Sequence, residues 1–270
     1  MHEQRGNHVA GASVVLCADE FGLTEGVSYG ILDLVGMQRV SAVSVLSQGA
    51  AWARLGPELA ACRPGIGIGL HLDIAAGIGR SHTQTATEIA RQIAMFCDVT
   101  GFTPDFISGR NNVHVLPHVR RGLFLALERT GLASQVWLRD PSERLPAIIR
   151  RGRAVSKALA ANAMALGFAR RARGRGIAVN DGFSGFSSYV RDYPVEREFQ
   201  RFCQYLGPQP LIACRPGYID DALERMGGVV KSRSRELMYL SSTRFTDLLE
   251  VLGITLVSSP VNRPPGLRPR

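Results

Sequence analysis

Two adjacent carboxylates, Asp19 and Glu20, close an apolar run in the stretch A-D-E-F-G at 18–22. Such a pair at a strand end can divide its labour, one carboxylate ligating a cation while the other takes a proton from water. Side chains alternate along a strand, so the two are expected to point in different directions. The competing reading is that these acids cap the next helix, for which Thr24 is the expected N-cap. His71 closes a second run, G-I-G-L-H-L at 67–72, as a ligand, a proton carrier or a hydrogen-bonded core histidine. A third stretch, 104–117, places Arg110, Asn111, Asn112 and His114 between a strand and a helix. Amides and an imidazole there suit the hydroxyls of a sugar, or the shaping of a turn. Arg215 leaves a strand ahead of Pro216, Arg139 follows another, and Asp181 in N-D-G-F is a further acid near a strand end.

These groups need a frame, and the chain provides a periodic one. Short Val- and Ile-rich runs at 13–17, 41–46, 65–74, 105–108, 135–138, 177–179, 210–214 and 254–257 read as strands. Helical spacing fills 24–38, 51–62, 85–99, 116–130, 195–206 and 234–252, the last with Ser234 as its expected N-cap. Alternating strands and helices mean α/β architecture, and eight strands invite a barrel whose ligands bind at the carboxyl ends of the strands. The expected organisation is a loose N-terminus over 1–12, one domain over 13–260 with a helical insertion near 142–175, and a Pro/Arg-rich tail over 261–270.

Composition narrows the function classes. With 45% hydrophobic and 20% charged residues in 270, the chain is globular rather than disordered. The net charge of +9 is almost all arginine, since Lys157 and Lys231 are the only lysines. That charge attracts anions, yet the arginines read as scattered and no base-reading motif accompanies them, so nucleic acid is not expected. Five widely spaced cysteines without a C-x-x-C pair suit a reducing cytoplasm. No secretory signal is read at the N-terminus, and the most apolar stretch, 154–169, is too short and too polar to span a membrane. The Arg-ended insertion is read either as a buttress with solvated ends or as an interfacial helix making peripheral contact with anionic lipid.

The motifs together resemble the YdjC-like carbohydrate deacetylase family, which includes chitooligosaccharide and hopanoid-associated deacetylases. The resemblance runs from about Ser13 to Val257 and includes V-S-A-V-S-V-L at 40–46, P-G-I-G-I-G-L-H-L at 64–72 and N-D-G-F-S-G-F at 180–186. It implies a deformed TIM-like (β/α) barrel, a homodimer, and hydrolysis of an N-acetyl group from an amino sugar with a divalent Mg or Zn ion. The family's A-D-D-F-G has a base followed by a metal ligand, positions held here by Asp19 and Glu20, and His71 matches a second ligand.

Two positions depart from the pattern. Arg110 stands where the family has a metal-binding histidine, and Arg215 where C-H-P-G carries the histidine resembling a catalytic acid. A guanidinium has no lone pair and keeps its proton, so neither arginine can perform the histidine's role. No metal is therefore expected, and Glu20 with His71 would hold it if one binds. Arg110 is expected to pair with Glu20 in the cation's place, and with Arg139 and Arg215 facing the pocket the site would favour an anion. Asn112, His114, Arg139 and Asp181 are the expected substrate contacts. The leading expectation is a divergent hydrolase of an acylated amino sugar or glycolipid head group. The alternatives are a non-catalytic sugar-binding protein, and a metal-free enzyme running another reaction on an anionic sugar.

Overall fold

The computed structural model describes residues 11–74, 81–187, 193–227 and 230–261. Both expected loose ends, 1–12 and 261–270, fall almost wholly outside these residues. β1 (Ser13–Phe21), β2 (Ala42–Val45), β3 (Gly67–Leu72), β4 (Phe106–Gly109), β5 (Trp137–Leu138), β6 (Ala178–Val179), β7 (Phe183–Ser184), β8 (Leu211–Cys214) and β9 (Thr255–Leu256) form one parallel sheet. Its order is β6-β5-β4-β3-β2-β1-β8-β7, with β9 paired to the first residues of β1. The sheet curls into the expected deformed TIM-like barrel, an α/β single domain. Strands of such a sheet are covered on both faces, which is why they read as near-continuous apolar runs.

Helices line the outside: α1 (Glu25–Gly36), α2 (Trp52–Ala61), α3 (His82–Thr100), α4 (Pro117–Thr130), α5 (Leu145–Arg151), α6 (Val155–Met164), α7 (Phe168–Arg173), α8 (Val195–Phe202), α9 (Asp221–Met226), α10 (Val230–Ser241) and α11 (Thr243–Val251). Thr24 caps α1 as expected, its side chain accepting the Val27 N–H at 3.3 Å. Two details differ from the sequence reading. The segment 234–252 is two helices broken at Ser242, and Ser234 lies inside α10 rather than capping it. β7 was not expected at all; two residues between Gly182 and Gly185, both with positive φ, give no periodic signal.

The sheet separates two cores. One packs the helices against the outward strand faces. The other fills the barrel with Val15, Cys17, Ala42, Phe106, Trp137, Phe183, Leu211 and Ala213. Phe106 and Trp137 stack there, ring centroids 4.5 Å apart. Gly69 is what admits them: a Cβ at this position would sit 2.5 Å from the Phe106 ring. The pattern G-I-G-L-H-L is thus partly a packing requirement, which carries His71 to the strand's carboxyl end.

Candidate functional site

Asp19 and Glu20 do not alternate as a regular strand would dictate. The pairing of β1 with β2 shifts register between Asp19 and Phe21, and Glu20 adopts a left-handed backbone with φ of 74°. This bulge turns both carboxylates toward one group of charges at the carboxyl mouth of the barrel, correcting the expectation that they diverge. Left-handed backbone disfavours a glutamate, so the strain is held by the surrounding contacts.

Those contacts are guanidinium groups. Asp19 is buried, and its two oxygens accept from Arg139 at 2.7 and 2.8 Å, with Ser44 Oγ donating to one of them at 2.7 Å. Burial alone would raise its pKa, but Arg139 outweighs it and holds the carboxyl well below the usual range. Arg139 also donates to Cys17 Sγ at 3.0 Å, so this pair lies beneath the mouth. Glu20 is shared: Arg110 Nε donates to Oε1 at 3.2 Å, and Arg233 Nη2 donates to Oε2. Against the cost of burial, Arg233 and Arg215 keep Glu20 ionised, its pKa lowered. Arg110 reaches on to Asp73 at 3.3 Å and remains partly exposed.

His71 is buried, with Nδ1 sharing a 2.7 Å hydrogen bond with Ser108 Oγ and Nε2 lacking any hydrogen-bond partner among the described residues. Burial lowers its pKa to about 4 against the pull of Asp19, so the ring is neutral at pH 7. Arg215 leaves β8 with its charge acting on Asp19, Glu20 and His71. Its backbone N–H donates to Glu236 Oε2 at 2.6 Å. Burial pushes Glu236 up to about 7, with the Arg215 N–H working against it.

The remaining expected contacts are dispersed. Asn112, like Asn111, takes left-handed backbone in the turn from Arg110 to Val115, where asparagine is tolerated. His114 is fully buried, its Nε2 at 2.7 Å from the Arg139 carbonyl and its ring edge-on to Phe168, so it supports Arg139 from below. Asp181 is exposed and pairs through its backbone with Gln209, which lines the opposite mouth. Arg233 and Glu236 escaped the sequence reading. Their signal was present: they share with Leu237 and Leu240 the buried stripe of α10, where charges have no place unless paired.

Comparison with known proteins bears on the family and the fold. The profile of the family described as YdjC-like protein matches residues 13–251. A chitooligosaccharide deacetylase of Salmonella typhimurium is 26% identical, over 43% of this chain and 59% of that one. The chain therefore spans less than two thirds of that curated relative. A solved structure from Enterococcus faecalis V583, described as a cellobiose-phosphate cleavage protein, superposes with a TM-score of 0.65 at 19% identity, covering 93% of this chain and 98% of that one. A family 4 acetyl xylan esterase from Clostridium thermocellum, in complex with a cobalt ion, gives 0.51 at 12% identity, covering 91% and 87%. Both show the fold.

Proposed function

Because the chain belongs to the YdjC-like protein family, we propose that it removes the acyl group from an acylated amino sugar or glycolipid head group, with guanidinium groups standing where the resemblance implies a divalent cation. The observation that carries this reading is the coordination of Glu20, whose two oxygens are each taken by an arginine, Arg110 and Arg233. The donors at the mouth do not complete a site for a divalent ion: His71 Nε2 offers one open lone pair, but Arg110 has none and both Glu20 oxygens are already taken by guanidinium groups. Among the described residues no group of three or more His, Cys, Asp or Glu side chains is arranged to hold a metal.

In this reading the ionised Asp19 takes the proton of the attacking water, Arg110 and Arg215 face the oxyanion that develops on the acyl oxygen, and Asp19 returns the proton to the sugar amine as the C–N bond breaks and the acyl group leaves as its carboxylic acid. Asn112 meets the sugar hydroxyls at the rim, while His114 and Arg139 hold Asp19 in place. Elemental analysis of the purified protein and a deacetylation assay with and without chelator test it. Turnover that survives chelation, and vanishes in Asp19→Asn, is expected; stoichiometric metal required for turnover overturns it. Arg110→His is expected to create a zinc-dependent rise in melting temperature, by returning a third donor to Glu20 and His71.

One observation favours a second reading, a sugar-binding protein without hydrolysis. Asp19 has both oxygens on Arg139, which makes it a weak base. Binding of acylated amino sugars without release of acetate, insensitive to Asp19→Asn, selects that reading.

A further inference from the structure

The arginines are not scattered once they are counted by segment. Residues 144–180 contain nine Lys or Arg and no Asp or Glu, so the chain's whole net charge of +9 resides there and the remaining 23 cations balance 23 anions. This is the stretch that forms α5, α6 and α7 between β5 and β6. Arg144, Arg150, Arg170, Arg171, Arg173 and Arg175 are exposed.

The same segment exposes aliphatic side chains. Ile149 is 75% exposed and Leu166 78%, with Leu145 and Leu159 also outside. Leu145 and Ile149 lie one turn apart on α5. The Asn162 amide on α6 bonds both the N–H and the carbonyl of Glu143, which seats the start of α5 against the middle of α6. Leu159, three residues before Asn162, flanks that contact on α6, and Leu166 follows the C-cap Ala165 in the turn to α7, where its carbonyl accepts from Arg120 and Arg171.

We propose that this face docks on an anionic lipid bilayer. Arginines bordering exposed Leu and Ile are the composition of an interfacial helix, in which aliphatic groups enter the acyl boundary and cations meet lipid phosphates. Nucleic acid would be served by the charge but not by the aliphatics. One of these arginines, Arg175, pairs with Glu128 on α4 at 3.6 Å, while Arg120 on α4 adds to the like charge beside Arg171 and donates to the Leu166 carbonyl at 3.2 Å.

The docked face adjoins the carboxyl mouth. Lys157 on α6 donates to the Ser187 carbonyl at 2.9 Å and lies within the field of Arg215. A bilayer under α5–α7 would therefore offer lipid-borne head groups to the site. This substrate class, a sugar carried on a membrane lipid, rests on the carbohydrate reading above; the docking does not.

The test is co-sedimentation with phosphatidylglycerol vesicles, with phosphatidylcholine vesicles as the neutral control and a DNA duplex as the competing anion. The chain is expected to pellet with the anionic vesicles at low ionic strength. Arg170→Glu with Arg171→Glu and Arg173→Glu is expected to reduce binding at least about tenfold, and Ile149→Glu with Leu166→Glu to abolish it with every arginine in place. All five residues are exposed, and unchanged circular dichroism verifies the fold. Absence of pelleting, or binding indifferent to the aliphatic changes, overturns the proposal, as does tighter binding to DNA than to vesicles. Assaying the variants on a soluble acylated amino sugar separates the two ideas. Lost vesicle binding with sugar handling intact supports the docking face, whereas a chain that pellets but handles no sugar sinks only the reading of the site.

Discussion

At the carboxyl mouth of the barrel, four guanidinium groups surround Asp19, Glu20 and His71, and Glu20, Asn111 and Asn112 hold left-handed backbone. At the amino mouth the structure has a cavity of about 780 Å³, walled by residues such as Ser13, Asp105, Trp137, Gln209 and Ser259. Among the described residues its charges are one pair: Arg63 donates to Asp105 at 2.8 Å, with both side chains partly in water. This open end is chemically quiet. Space alone does not make a reactive site, which comes from burying charges that must then neutralise each other.

The contrast can be broken by experiment. Arg139→Ala leaves the buried Asp19 carboxylate without its partner, and a loss of about 3–5 kcal/mol is expected in urea unfolding. A loss below about 1 kcal/mol would mean that Asp19 is hydrated and the mouth is wetter than its packing implies.

Acid should attack the carboxyl mouth next. His71 and His114 are held neutral by burial, their pKa values lowered from 6.5 to about 4 and about 3. The unfolded chain binds protons that the fold refuses, so stability falls as pH drops from about 6.5 toward 4. A melting temperature flat across that window would contradict the burial of both rings.

Glu236 has the opposite sign. Its pKa is raised from 4.5 to about 7, so its ionised form costs stability above pH 7 and the cost disappears below 4.5. Glu236→Gln is therefore expected to stabilise at pH 8 by on the order of 1–3 kcal/mol, with no difference at pH 4. The smallest effect belongs to the amino mouth, where Arg63→Ala should change unfolding by about 0–1 kcal/mol and leave sugar binding untouched.

The sequence carried the frame well and the site unevenly. All eight expected strands are present, in most cases because a strand buried on both faces leaves an apolar run; β9, with Thr255 exposed and Leu256 half-buried, is not such a strand. Asp19, His71, Arg110 and Arg215 were visible as polar residues at strand ends. The bulge at Glu20 was not, since one extra residue in a pairing leaves no periodic trace. Arg233 lies 213 residues from its partner Glu20, and nothing local in either segment announces the other. Arginine spacing misled for a different reason: a charge reads as scattered along the chain until its missing counterions are counted as well.

β1 is bordered by β2, β8 and β9, and the link from Cys214 to Cys17 crosses 197 residues of chain. During synthesis one flank of Val15–Ala18 stays unsatisfied until Leu211–Cys214 of β8 has emerged. Folding of this barrel is therefore governed by a late, long-range closure, and until then an apolar edge is open to pairing with other chains.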